Sequence, residues 1–357
     1  MSLRGADPEL VRAALDTADP LPGTAGFAGR LDGRLLRDVL GRQPLFVERA
    51  TPETWSHDPT DLADPRSLPA GCVHDGTDER QIWTLPDPEP VPDDTAIAGV
   101  REAVDTTLDG IDTSGLAIAF SGGIDSALLA ARLDAPLYVA GFPDSHDIAA
   151  ARSGADLLDR EVRVVELDHD ALERAVPPLA RATGRTNAMD VQIALGLFLV
   201  AERVAADGFD RLAVGQGADE LFGGYAKVAQ APEDPRTGAD TVRGARRETV
   251  LGLPDQLERD QLALRAAGVC PVTPLLHDRV VGAALALSGE QLVRGETRKW
   301  ALRAAARPWL PEELVTRDKK ALQYGSLVAR ELDRLARQAG YKRRMDDHVT
   351  QYVESLL

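Results

Sequence analysis

Lysine is what this sequence most conspicuously lacks. Of 41 basic residues only Lys227, Lys299, Lys319, Lys320 and Lys342 are lysines; arginine supplies the rest. Such usage, with abundant Ala and Asp, fits a GC-rich genome, and it makes a lysine inside a chemical motif informative. Aromatics are 4% of the chain. Cysteine is nearly absent: Cys72 and Cys270 match no C-x-x-C spacing, which argues against a disulfide framework or a zinc knuckle. His57, His74, His146, His169, His277 and His348 show no H-E-x-x-H or related spacing. No apolar run approaches the ~20 residues of a membrane span, and MSLRGADPELVRAALDTADP has no apolar signal-peptide core. A cytoplasmic protein without membrane contact is expected. Positive charge is also short: 57 acidic against 41 basic residues give −16. That surface disfavours binding to nucleic acid or anionic lipid and suits a halophile-like, salt-rich cytoplasm, where screening relieves self-repulsion.

What is present is enough chain, 357 residues, for two domains. From Pro22 to about Leu85, short apolar runs (GFAGRL, RLLRDVL, PLFVER, QIWTL) are broken by Gly, Pro and Asp, as in strands and hairpins. PDPEPVPDD, Pro86 to Asp94, reads as a linker. The boundary therefore falls between a β-rich domain, 1–94, and a larger domain, 95–357. In the latter, apolar strands at 116–120, 137–140, 162–167 and 212–214 alternate with helices, predicting an α/β fold with a parallel sheet covered on both faces. Beyond Tyr225 strand patterns vanish and helical periods take over.

The first chemical motif is AIAFSGGIDSALLAARL. An apolar strand ends at Phe120, Ser121-Gly122-Gly123-Ile124-Asp125-Ser126 turns sharply, and a helix follows. Adjacent glycines permit positive φ and close backbone approach. Amides at a turn and helix start cradle an anion, and Ser121 and Ser126 add hydroxyls, with Ser126 placed as the N-cap. A carboxylate, Asp125, beside phosphates calls for a cation between them. The GxxxxGK[ST] spacing of a Walker loop is absent.

This hexad resembles SGGxDS, the pyrophosphate loop of the N-type ATP pyrophosphatases. VGQGADELFGGY, Val214 to Tyr225, is similar to the SGEGADELFGGY signature of the asparagine synthetase family. The resemblance implies an adenine nucleotide alpha hydrolase-like fold with a helical C-terminal part, ATP cleaved to AMP and pyrophosphate, and Mg²⁺ held by Asp125 and Asp219. It implies adenine contacts on backbone near Ala119, Ala140 and Gly215. GFPDSHD matches the family's GxPxSxD, leaving Asp147 either near ribose or as a helix N-cap. In TNAMDVQIALGLFLVAE, Gln192 stands where bacterial glutamine-dependent members have Arg. In ERDQLALRAAGVCPVTPLLHD, Arg259, Asp260, Pro274 and Leu276 match, whereas Cys270 replaces Glu and His277 replaces Asp. GETRKWALRAAARPWLPEELVTRDKK resembles GxxKxxLRxAxxxxLPxxIxxRxK. Lys319 then neutralises charge on leaving pyrophosphate, Lys299 lies near the phosphates, and Lys320 is a solvated residue. Gln216 replaces the Glu of GEG, a base for ammonia, and can hydrogen-bond an intermediate but not act as a base.

RDVLGRQPLFVE resembles RDRLGxRPLYY, and LPAGCV resembles LPPGSV, so residues 22–90 look like a shortened glutaminase domain of the class II amidotransferases. Position 2 is Ser2, where glutamine-dependent members carry the nucleophilic Cys, and no Cys precedes Cys72. The implied reaction is AMP-forming amide synthesis: asparagine from aspartate, with ammonia or a partner such as a separate glutaminase supplying nitrogen. Three matters stay open at this stage: a ligase for another carboxylate and amine pair, a catalytically weak nucleotide-binding regulatory subunit, and a homodimer.

Overall fold

Leu116–Ala119 reads Leu-Ala-Ile-Ala with its first three side chains buried, so its backbone groups need protein partners, and they find them in a sheet. In the computed structural model, which describes residues 3–232, 239–317 and 327–357, this strand is the centre of five. The order is Val162–Glu166, Leu137–Gly141, Leu116–Ala119, Arg211–Ala213, Cys270–Val272, and every neighbouring pair is parallel. Ile118 registers with Leu137 on one side and Ala213 on the other. In chain order these strands run 3-2-1-4-5. The direction of winding therefore reverses between Leu116–Ala119 and Arg211–Ala213, and ligands of open α/β sheets sit beyond the carboxyl ends of strands at that reversal.

The chain forms two compact units. One comprises residues 112–214, 259–272 and 310–357, and the other residues 1–111, 215–258 and 273–309. The parallel sheet belongs to the first. Its core joins Tyr138, Val214 and Leu212 to Phe198 and Leu195 of helix Ala188–Ala206, to Leu179 of helix His169–Thr183, and to Leu332 of helix Val328–Gln338. The strand Cys270–Val272 corrects the expectation that strands end at Tyr225. It is three residues long and carries Pro271, which a sheet accepts at an edge.

Among the described residues the second unit holds three small antiparallel sheets, one of them the two-stranded pair Val293–Arg294 and Thr297–Arg298, which also lies beyond Tyr225. Of the two larger ones, the first is ordered Ala28–Leu31, Arg34–Arg37, Cys72–His74, Glu79–Gln81; in the second, Phe46–Glu48 lies between Trp55–Ser56 and Pro65–Ser67. Ala28, Leu35, Leu45, Val47 and Leu68 pack between them. The Pro-rich stretch 86–94 does not stand free of this unit. Arg247 donates to the Leu85 and Pro86 carbonyls, Arg243 pairs with Asp87, and Gln291 donates to the Val91 carbonyl. An extended segment makes no bonds to itself, so its carbonyls are open to such donors. The units thus follow a division other than a single cut at 94. Among the described residues no helix is long and apolar enough to cross a membrane.

Candidate active site

The Ser121–Ser126 turn leaves the carboxyl end of the central strand at the winding reversal and enters helix Ile124–Arg132, buried from Ile124 to Ala130. Gly122 has φ +70°. A Cβ there would lie 2.2 Å from the Ala150 carbonyl oxygen, so no other residue fits without moving backbone. The first bond of the helix runs from Ala127 N–H to Gly123 O, which places the amides of 124–126 ahead of the helical ladder. Ser126 is not the N-cap; Gly123 holds that position. The Ser126 hydroxyl accepts from Ser121 N–H at 3.1 Å and donates to Gly123 O at 3.1 Å, closing the turn on itself. One expected anion donor, Ser121 N–H, is therefore spent inside the loop. Asp125, in the first helical turn, is 4% exposed.

Ala119 and Ala140 stand at the carboxyl ends of adjacent strands. Asp147 is buried in the first turn of helix His146–Leu157, but Ser145 is its N-cap and accepts from Ile148 N–H. The capping role for Asp147 is thereby excluded. Gln192 lies half-buried on helix Ala188–Ala206, whose start is braced by ions. Arg259 donates to Asp190 at 2.8 Å and to Asp260 at 2.7 Å, and Arg185 reaches Asp190 at 3.1 Å. Burial opposes charge on Asp190, yet bonds from Asn187 and Arg259 hold its carboxyl below the usual range.

In the other unit, Gly215, Gln216 and Gly217 lead into the short helix Ala218–Phe222; Gln216 is half-buried, and Gly217 takes φ +89° against Leu276. Lys299 Nζ lies 2.6 Å from Asp219 Oδ1, with the lysine buried and the Asp219 side chain 28% exposed. Gly224 makes the room: a Cβ there would fall 2.0 Å from Asp219 Oδ1 and 2.4 Å from Lys299 Cε. Lys299 itself adopts φ +56° ahead of helix Trp300–Ala306. Burial pushes the Glu220 carboxyl up, and Tyr225 donates to it. Arg298 Nη1 donates to Gly224 O at 2.8 Å. Sequence reasoning passed over this arginine, because one more Arg carries little signal in an Arg-rich chain. Ser2, Lys319 and Lys320 lie outside the described residues.

The family model described as asparagine synthase matches residues 100–251 and 243–355, together well over half of the chain. A protein of Methanocaldococcus jannaschii, provisionally named asparagine synthetase (glutamine-hydrolyzing) 1, is 28% identical over 272 residues, covering 66% of this chain and 50% of that protein. Asparagine synthetase (glutamine-hydrolyzing) 2 of Oryza sativa subsp. japonica is 26% identical over 234 residues, 58% of this chain and 38% of that one. Asparagine synthetase (glutamine-hydrolyzing) 1 of Saccharomyces cerevisiae is 26% identical over 204 residues, 53% and 34% respectively. The chain thus spans half or less of the length of these relatives. The glycine turn at the winding reversal and the Asp219 loop both lie inside the matched region, and on that match the chain belongs to the asparagine synthase family.

Proposed function

We propose that this protein is an AMP-forming ligase that makes an amide, with asparagine from aspartate as its first substrate reading. The observation that carries this is the Ser121–Ser126 turn at the winding reversal of a parallel sheet, within a family match. A substrate carboxylate oxygen attacks the α-phosphorus of ATP, and the α–β bridge breaks to release pyrophosphate. Ammonia then attacks the acyl carbon, loses a proton, and expels AMP. Gly122, Gly123 and the first helical turn hold the β and γ phosphates, and Ala119 and Ala140 border the adenine, with Asp147 near the ribose; Gly215 is a further adenine residue by the family resemblance.

A divalent cation fits the chemistry of the donors. Among the described residues no three His, Cys, Asp or Glu side chains gather as a cage. By the family resemblance Asp125 and Asp219 are the candidate Mg²⁺ residues; each would bind the cation together with phosphate oxygens and water, its common mode of binding, and the cation would neutralise charge on the phosphates. Lys299 balances Asp219, and Lys319 acts on the leaving pyrophosphate. Nitrogen comes from free ammonia or from a separate glutaminase. Cys72 supports this: it is buried within a strand, and burial pushes its thiol above the usual range, opposite to what a nucleophile requires. Gln216 favours one second reading, a ligase for another carboxylate and amine pair, since an amide cannot take a proton from ammonia.

The test is product analysis with ATP, Mg²⁺ and a panel of amino acids, each with and without ammonium. AMP and pyrophosphate are expected, with a fall of about a hundredfold or more in Asp125→Asn and Asp219→Asn; ADP as the product refutes the assignment. Glutamine alone should yield no glutamate. Glutamate release that disappears in Cys72→Ala would overturn the reading of the nitrogen source.

A further inference from the structure

The phosphate turn and helix His146–Leu157 meet backbone to backbone. A Cβ on Gly122 would strike the Ala150 carbonyl, and one on Gly154 would come within 2.9 Å of Gly122 Cα. Glycine at both positions is what lets the two backbones come this close. Arg317, the residue after helix Glu312–Thr316, supplies a clamp. Its Nη1 donates to Gly122 O at 3.3 Å and to Ala150 O at 3.1 Å, and its Nη2 donates to Ser153 Oγ at 2.9 Å. One planar guanidinium therefore joins the turn to the helix behind it.

We propose that Arg317 is the positioning residue of the anion turn, acting through the Gly122–Gly123 peptide plane. This rests on the reading of that turn as a nucleotide site. In a trans peptide the carbonyl and the following N–H point in opposite directions. Holding Gly122 O toward Arg317 aims the Gly123 N–H away from the helix, as an anion donor must be aimed. Gly122 and Gly123 are the most conformationally free pair in the motif, so without a clamp this plane can flip and present a carbonyl oxygen to the phosphate. Lysine keeps the charge but has one compact ammonium and cannot span the same acceptors as a rigid fork.

The experiment is calorimetric binding of pyrophosphate with Mg²⁺, and of ATP, to the full chain and to Arg317→Lys, Arg317→Ala and Ser153→Ala, with thermal melting of each. Arg317→Lys should weaken pyrophosphate binding about tenfold or more despite its retained charge, and Ser153→Ala about two- to threefold. Added guanidinium at about 10 mM should restore part of the affinity lost in Arg317→Ala, a rescue that a purely architectural role would not show. Wild-type affinity in Arg317→Lys overturns the proposal. So does loss without rescue that tracks a lowered melting temperature. If Arg317→Ala does not fold, Arg317→Lys and Ser153→Ala decide by the same criteria. Failure of the wild-type chain to bind either ligand removes the nucleotide reading itself, a different outcome from wild-type binding that the variants share.

Discussion

Arg42 is the most consequential charge in the amino-terminal part of the molecule, and its removal gives a sharp test. Its side chain is 1% exposed and lies between Asp38 and Asp278, at 0% and 1%. Nε donates to Asp38 at 2.8 Å; Nη1 donates to Asp278 at 2.7 Å and to Leu276 O at 2.8 Å. The other Asp278 oxygen accepts from Gly23 N–H, Thr24 N–H and the Thr24 hydroxyl. Arg42→Met leaves two buried carboxylates without their shared cation, the kind of loss that costs about 3–5 kcal/mol. Asp278→Asn removes one charge while Arg42 keeps Asp38, and should cost less, about 1.5–3 kcal/mol. At roughly 2–4 °C per kcal/mol, Arg42→Met should lower the melting temperature by about 6–20 °C. Arg12→Ala is the surface control. Its partner is Asp32, both side chains are about half exposed, and its loss should cost no more than ~1 kcal/mol.

Melting followed by circular dichroism in low and in molar KCl separates these cases. Salt should raise the stability of every variant, because the net charge is −16 and the Debye length shrinks from about 10 Å at 0.1 M to about 3 Å at 1 M. The gap between wild type and Arg42→Met should persist, since salt screens buried pairs far less than exposed ones. A gap below about 2 °C, or one that closes in molar KCl, refutes the reasoning, as does a larger loss in Asp278→Asn than in Arg42→Met.

Two further outcomes follow from the other unit. Gly122→Ala should abolish pyrophosphate binding while the far-ultraviolet spectrum stays near wild type, because the new Cβ meets the Ala150 carbonyl at 2.2 Å and the backbone sits at φ +70°; retained binding would show that the turn does not carry the anion. The Asp333 carboxyl is held at about 2 by the Arg343 hydrogen bond and by His348 and Arg337. With the folded value below the unfolded one near 3.8, its stabilisation is present above about pH 4 and lost as pH falls through about 2. Asp333→Asn should lower the melting temperature at pH 7 and match wild type near pH 2; an unchanged difference between those pH values would sink this account.

The parallel sheet was largely legible in the sequence because its inner strands are apolar on both faces. Leu116–Ala119 and Leu137–Gly141 declare themselves by composition. Cys270–Val272 does not: one side of an edge strand needs no ladder bonds, so three residues with a proline suffice, and only pairing with Arg211–Ala213 reveals it. The caps show the same limit. Ser126 and Ser145 both stand beside a helix start, yet one closes the turn and the other caps, a choice made by backbone geometry rather than residue type. The interleaving of the second unit was hidden more deeply. The stretch 86–94 has the composition of a linker, but the donors that hold it, Arg243, Arg247 and Gln291, come from some 150 to 200 residues onward.

The Asp219 pocket gives the scarcity of lysine a physical reading. Lys299 Cε lies so near Gly224 that even a Cβ at 224 would come within 2.4 Å of it, and the ammonium then meets Asp219 at 2.6 Å. A single compact charge fits that slot, whereas a planar guanidinium with five donors would have to satisfy the remaining ones in the same space. The arginines that replace lysine elsewhere in this chain act differently. Arg42, Arg259 and Arg317 each bridge backbone or carboxylate groups with a fork. In a sequence that uses arginine wherever a fork will serve, a buried lysine marks a place where only a point charge fits, and this one lies against the acidic residue of the family signature.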